Sequence, residues 1–170
     1  MKWDYEFDVV VIGSGNGALT SALCSHDGGA KTLVIEKSNQ FGGTSATSGG
    51  GVWIPNNRYA RAENVDDSNK DARDYIDSVS PEGQIKDELV ETYLSEGPKM
   101  IDYLHENSQV KYRNLQHYPD YFPDNPGGKA GNRSMEPEPI NGTELGDDLS
   151  KLREQHPQTA FTMGPINMNF

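Results

Sequence analysis

The sequence of 170 residues is poor in cysteine, in basic residues and in long apolar runs. Its one cysteine, Cys24, excludes an internal disulfide and a cysteine-based metal cluster, and we predict no metal site. Cys24 falls on a predicted helix, where we expect it to pack rather than to react. The 26 acidic residues outnumber the 15 basic ones, and this formal net charge of −11 disfavours nucleic acid as a partner.

The absence of long apolar runs bears on the compartment. No run approaches the ~20 residues of a membrane-spanning helix, and residues 1–6 lead into the first strand without a signal-peptide pattern. A single cysteine fits a reducing compartment. We therefore expect a cytoplasmic protein with no integral membrane segment.

The most informative stretch has the order strand, glycine turn, helix, strand and acid. Residues 7–12 form an apolar, β-branched run typical of a buried parallel strand, and residues 32–35 form a second such run. A glycine turn begins at Gly13, a helix is predicted from about Asn16, and Glu36 ends the second run. This order is typical of a dinucleotide-binding βαβ unit. The sequence therefore predicts an α/β protein with a Rossmann-like domain, in which helices flank a parallel sheet.

Each residue type of the turn has a physical role toward a dinucleotide. Gly13 permits the tight turn, Gly15 lets the backbone approach a pyrophosphate, and Ala18 packs helix against strand. The free N–H groups and the positive dipole end of the helix favour phosphate. Glu36 can accept hydrogen bonds from a ribose and would repel a 2′-phosphate, which disfavours NADP. The alternative is a glycine-rich turn that binds no nucleotide.

A second glycine-rich segment, residues 41–55, follows shortly after Glu36. It contains five glycines and four serine or threonine residues. Many backbone donors and little side-chain bulk suit a chain that lies along a long polar cofactor. A flexible loop is the alternative, although Val52, Trp53 and Ile54 would anchor the end of the segment.

Three blocks of sequence carry a family resemblance: GSGNGALTSAL, IEKSNQFGGTSATSGGGVWIPNN and PDYFPDNPGGKAGNRSMEPEPING. They resemble the amino-terminal part of the 3-ketosteroid dehydrogenases, within the fumarate reductase/succinate dehydrogenase group of flavoproteins. The resemblance implies FAD as cofactor, a steroid as substrate and an electron acceptor as partner. It also implies that residues 1–170 are the amino-terminal part of an FAD-binding domain, incomplete at its C-terminus, without the substrate domain and inactive alone.

The resemblance further implies which residues bind FAD. Those at the pyrophosphate are Gly13, Ser14, Gly15, Asn16, Gly17 and Ala18; Glu36 is at the ribose; Lys37 and Ser38 are at the adenine end; and Gly42, Gly43, Thr44, Ser45, Ser48, Gly49, Gly50 and Gly51 run along the pyrophosphate toward the isoalloxazine.

The resemblance also implies a reaction. In the family a tyrosine on an aromatic loop lies over the substrate in a Pro-Asp-Tyr-Tyr pattern, and this chain has PDYF, so Tyr121 is implied to be catalytic. The expected activity places a C1–C2 double bond in a 3-ketosteroid: a base removes an α-proton, donors hold the carbonyl oxygen, and flavin N5 accepts a hydride. The family's principal base and carbonyl donors would lie beyond residue 170.

Several alternatives stay open. They are Δ4 desaturation of 5α-3-ketosteroids, fumarate-type reduction, and a dinucleotide-binding module without catalysis. For Tyr121 itself, the alternative is an aromatic residue that only packs in the loop.

The remainder of the chain predicts helices around an aromatic loop. Ser68 is expected to cap a helix and Ser80 to cap a second. Residues 96–106, with Gly97 and Pro98 marking the start, and residues 145–153 are expected to form two more. Residues 116–139 are rich in tyrosine, proline and glycine, and the aromatic rings favour an ordered loop.

The role of Arg133 and Ser134, near the end of this loop, is open between contact with FAD and stabilisation of the loop.

Overall fold

The computed structural model describes residues 3–156, which form two compact units. The first unit contains residues 3–50 and 141–156, and the second contains residues 51–140. Within this part of the chain, no helix is both long and apolar enough to cross a membrane.

The first unit is built on a βαβ motif. Strands β1 (Val9–Ile12) and β2 (Thr32–Ile35) pair in parallel, with Val9 opposite Thr32 and Ile12 opposite Ile35. Helix α1 (Asn16–Asp27) connects the strands and packs against both. The predicted parallel sheet with its helix is confirmed.

One prediction about this motif is wrong, because one face of β1 is exposed. Val10 is 51% exposed and Ile12 is 82% exposed, whereas Val9 and Val11 are partly buried. A strand buried on both faces needs a cover on each side, and among the described residues α1 covers one side. Cys24 is also exposed on α1, contrary to the expectation that it packs.

The second unit contains a three-stranded antiparallel sheet with the order β3–β5–β4. The strands are β3 (Val52–Trp53), β4 (Tyr112–Asn114) and β5 (Ser134–Pro137). Met135 of β5 lies opposite Val52 on one side and Asn114 on the other. This arrangement brings the start of the unit and the end of the aromatic loop side by side.

Three helices pack around this sheet: α2 (Arg58–Ala62), α3 (Asn69–Val79) and α4 (Asp87–Asn107). The apolar core consists of two clusters of buried residues, which are Ile54, Ile101, Tyr112 and Met135 in one and Ala72, Val90 and Leu94 in the other. Ser68 caps α3 as predicted, since its hydroxyl accepts a hydrogen bond from the Asp71 N–H at 3.1 Å.

The predicted helix starts at Ser80 and at residue 97 are wrong, because a single helix runs from Asp87 to Asn107. Residues 81–84 instead form a turn, in which the Gln84 N–H donates to the Pro81 carbonyl and Gly83 has a φ of +72°. Gly97 and Pro98 are buried inside α4. A Cβ on Gly97 would lie 3.3 Å from Ile54, so the glycine permits close packing of the helix on the core.

The expected helix over residues 145–153 is also different. A 3₁₀ segment spans Gly142–Lys151, with a non-helical Gly146 inside it at φ 55° and ψ −131°.

Candidate functional site

The first unit contains a cavity of about 770 Å³ beside the glycine turn. Among the residues predicted to bind FAD, those lining it are Gly13, Ser14, Gly15, Asn16, Gly17, Ala18, Glu36, Lys37, Gly43, Thr44 and Ser45. The predicted residues outside its lining are Ser38, Gly42, Ser48, Gly49, Gly50 and Gly51. The two glycine-rich segments therefore meet at one cavity.

The backbone of the turn leaves room for a ligand. Gly13 has a φ of +95°, and its N–H donates to the Ile35 carbonyl at 2.7 Å, which ties the turn to the end of β2. A Cβ added at Gly13 or Gly17 would meet nothing within 4 Å. A Cβ at Gly43 would lie 3.3 Å from the Gly15 Cα, so the two glycine segments approach each other backbone to backbone. Such a bare, open turn at a helix N-terminus fits a pyrophosphate.

A buried hydroxyl connects three parts of this cavity. The Ser14 Oγ donates to Glu36 Oε2 at 2.5 Å and accepts a hydrogen bond from the Gly42 N–H at 3.0 Å. Ser14 is 3% exposed. The Ser38 N–H donates to the other carboxylate oxygen, Oε1, at 3.0 Å. Ser38 thus holds Glu36 in place and Gly42 holds Ser14 in place, although neither residue lines the cavity.

These hydrogen bonds determine the charge and the orientation of the Glu36 carboxyl. The Ser14 hydroxyl and, secondarily, the Ser38 N–H lower the pKa of the Glu36 carboxyl, because both hydrogen bonds favour its charged form. The carboxylate is consequently ionised and oriented at the end of β2, where it can accept a hydrogen bond from a ribose hydroxyl.

The second unit contains a mainly apolar cavity of about 490 Å³. Its walls come from β3, from α3 and from the aromatic loop, and its ring-bearing lining residues are Trp53, Tyr75, Tyr118, Tyr121 and Phe122. Tyr121, the predicted catalytic residue, is 84% exposed, so its hydroxyl is accessible to a ligand. Gly51, which was predicted to contact FAD, also lines this cavity.

A buried ion network holds the aromatic loop. The Arg133 guanidinium pairs with Asp120 at 2.8 Å and with Asp67 at 2.7 Å, and the three side chains are 1–3% exposed. The Trp53 Nε1–H donates to Asp120 at 2.7 Å. The Lys129 N–H donates to Asp120 at 3.0 Å, and the Asp120 N–H donates back to the Lys129 carbonyl at 2.9 Å. Arg133 therefore stabilises the loop, which is one of the two roles considered for it; the other was contact with FAD.

Sequence reasoning missed part of both cavities. It did not assign Tyr75, Ile76 and Val79, which α3 brings to the second cavity, to a site. The sequence carries no signal for which loop covers that face. Arg153 lines the first cavity, and we expected it only at the end of a helix.

The βαβ motif, its open glycine turn and the fixed carboxylate define a dinucleotide-binding domain. The sequence model of the FAD binding domain family matches residues 8–167, and this chain belongs to that family. The predicted cofactor, FAD, is thereby confirmed for the family, and the first cavity has the features that the adenosine diphosphate part of FAD requires.

The comparisons with individual proteins agree with the predicted resemblance. The chain is 39% identical to a 3-oxosteroid 1-dehydrogenase of Mycolicibacterium smegmatis, over 97% of this chain and 29% of that protein. It is 38% identical to a 4-oxocyclohexanecarboxylate 2-dehydrogenase of Sinomonas cyclohexanicum, over 92% of this chain and 27% of that protein.

The structure is likewise similar to the crystal structure of a 3-ketosteroid delta1-dehydrogenase from Sterolibacterium denitrificans in complex with 1,4-androstadiene-3,17-dione. The TM-score is 0.84 and the identity 40%, over 90% of this chain and 27% of that one. The chain thus spans less than a third of each of these relatives.

Proposed function

We propose that this chain is part of an FAD-dependent dehydrogenase that introduces a double bond next to a ring ketone, with a 3-ketosteroid as substrate and C1–C2 as the bond. The observation that carries the proposal is the apolar, ring-lined cavity of the second unit, in a chain of the FAD binding domain family. The activities by which the two relatives are named support the same reaction class, since both are dehydrogenations of a cyclic oxo compound.

The lining of the second cavity suits a flat apolar ring system. A volume of about 490 Å³ lies within the ordinary range of small-molecule sites, and aromatic walls exclude water from an apolar ligand. Asp120 is the charged residue of the described lining, and its carboxylate is engaged by Arg133, Trp53 and Lys129. The cavity therefore presents its apolar walls rather than an unpaired charge.

The same lining disfavours the fumarate-type alternative. A substrate with two carboxylates needs cationic donors, and no lysine, arginine or histidine lines this cavity within residues 3–156. A substrate with one carboxylate, such as a 4-oxocyclohexanecarboxylate, needs fewer cationic donors, and this lining disfavours it less. That smaller ketone is the second candidate substrate, because the Sinomonas relative is almost as similar as the steroid dehydrogenases.

The proposed chemistry gives this chain two tasks. Bound FAD supplies the hydride acceptor. The first task is to hold that cofactor through the glycine turn and Glu36. The second is to place the ring through the aromatic cavity, with the Tyr121 hydroxyl in contact with the ketone ring during loss of the α-proton. The substrate loses one proton and one hydride, and an electron acceptor finally takes the two electrons.

Turnover by the complete, flavin-loaded protein that contains this chain tests the proposal. A 3-ketosteroid or 4-oxocyclohexanecarboxylate is supplied with an artificial electron acceptor, and the product is analysed by mass spectrometry and NMR. We expect the steroid product to lose two hydrogens at C1 and C2. A C4–C5 double bond would establish the Δ4 alternative, preference for the small ketone would establish the second candidate, and no turnover of either would contradict the proposed reaction class.

A further inference from the structure

Arg153 extends the cofactor site beyond the residues that the glycine motifs identify. We propose that its guanidinium binds the pyrophosphate of FAD and supplies the main positive charge that this chain brings to it. The inference rests on FAD as the cofactor, and it does not depend on which substrate the enzyme dehydrogenates.

The backbone around Arg153 is tied to the second glycine segment. The Phe41 N–H donates to the Lys151 carbonyl at 2.9 Å, and the Arg153 N–H donates to the Phe41 carbonyl at 2.9 Å. Phe41 and Leu152 form a parallel β-bridge. These two hydrogen bonds place Arg153 beside the residue that leads into Gly42 and the cavity, although the two segments are more than a hundred residues apart in sequence.

The Arg153 side chain is partly buried and lines the cavity of the glycine turn. Its Nε is buried and has no hydrogen-bond partner among residues 3–156. A buried N–H without an acceptor is unfavourable, and more so on a charged group. The Arg153 guanidinium therefore has unused hydrogen-bonding capacity in a side chain that lines the cavity.

The other arginines show that this state is unusual. Within the described residues, each of the other five arginines forms an ion pair with a carboxylate: Arg58, Arg61, Arg73, Arg113 and Arg133. Arg153 forms no such pair with any described residue. In a chain with a formal net charge of −11, carboxylates are abundant, and an arginine that avoids them beside a cavity is available to an anionic ligand.

The charges of the lining identify the ligand group. Glu36 is the acidic residue of the described cavity lining, and Lys37 and Arg153 are its basic residues. Lys37 is exposed and follows Glu36 at the ribose side, whereas Arg153 is anchored beside the segment that meets Gly15. A pyrophosphate carries two negative charges, and a guanidinium matches phosphate oxygens with a bidentate fork of donors. Arg153 thus complements the uncharged backbone donors of the turn.

The test compares Arg153→Gln with Lys151→Gln in the complete protein, after removal of the flavin. Lys151 lies two residues away, is exposed and pairs with Asp148 in solvent, so its change removes the same charge without altering the cavity lining. Affinity for FAD is measured by flavin fluorescence. Loss of a charge-assisted bidentate contact should raise the FAD dissociation constant about 10- to 100-fold in Arg153→Gln and less than about twofold in Lys151→Gln.

Three further measurements separate phosphate binding from a structural role. Arg153→Gln should weaken ADP strongly and adenosine hardly at all, and Arg153→Lys should recover part of the FAD affinity. The thermal stability of the flavin-free protein should change little. Equal weakening of ADP and adenosine, or a lower melting temperature with unchanged FAD affinity, would overturn the proposal. Tight FAD binding without turnover would leave the proposal intact and count only against the proposed reaction.

Discussion

Replacing Arg133 with methionine should release the aromatic loop of the second unit. In the native structure the guanidinium pairs with Asp67 and Asp120, and it lies over the Trp53 and Tyr75 rings at 5.6 and 5.8 Å. Methionine fills much of the same volume but supplies no charge and no donor. Two carboxylates that are 3% and 2% exposed would then share a buried site without a cation.

The size of the effect follows from this burial. Removing one partner from a buried ion pair costs about 3–5 kcal/mol, because the remaining charge is left without compensation. Each ~1.4 kcal/mol changes an equilibrium constant tenfold. The open state of the loop should therefore become at least roughly a hundredfold more populated.

Hydrogen exchange of the flavin-loaded protein measures this opening directly. The informative amides are those of Asp120 and Lys129, which bond to each other's carbonyl and carboxylate oxygens. Arg73→Met is the matched control, because Arg73 also pairs with two carboxylates, Asp77 and Asp87, which are 54% and 80% exposed. That change should cost less than about 1 kcal/mol. Equal protection of the two amides in Arg133→Met and the control would refute the reasoning.

Three other variants test the remaining assignments. Gly15→Val should abolish FAD binding, because its side chain would enter the turn 3.4 Å from the Ser45 Oγ; a folded variant with a full flavin content would contradict this. Glu36→Gln should weaken FAD without lowering the melting temperature of the flavin-free protein, and an equal loss of stability would indicate a structural acid. The pKa of Glu36 is lowered from 4.5, so the carboxylate should contribute to FAD affinity above that pH. In the wild type this contribution should be lost only as the pH falls below 4.5. Tyr121→Phe should reduce steroid turnover far more than flavin content, and unchanged turnover would leave Tyr121 as a packing residue.

The sequence predicted those parts of the fold that are determined by residues close together in the chain. The βαβ motif depends on adjacent apolar runs and on the turn at Gly13, and its elements lie where the pattern placed them. The serine cap of α3 is equally local. Helix α4 was misjudged because Gly97 and Pro98 normally end or begin a helix. Here both residues are buried inside the helix and Gly97 packs against Ile54, and this packing outweighs that tendency.

In the candidate site, too, the residues of a short motif were predictable and those brought together by long-range contacts were not. The glycine turn and Glu36 were predictable because their spacing is fixed by the ligand. Of the second cavity, the resemblance supplied only the aromatic loop with Tyr121. The rest depends on contacts such as the hydrogen bond from Trp53 to Asp120, which are 67 residues apart. Arg153 escaped detection for the same reason, since its position is set by a bridge between Phe41 and Leu152.

Anaerobic mixing of the complete, flavin-loaded protein with a 3-ketosteroid tests the central claim most directly. We expect the visible absorption of the oxidised flavin to be lost as a 1,2-unsaturated ketone forms in equal amount, and to return when an electron acceptor is added. A protein that carries FAD but keeps its oxidised spectrum with 3-ketosteroids and with smaller ring ketones would contradict the proposed dehydrogenase function.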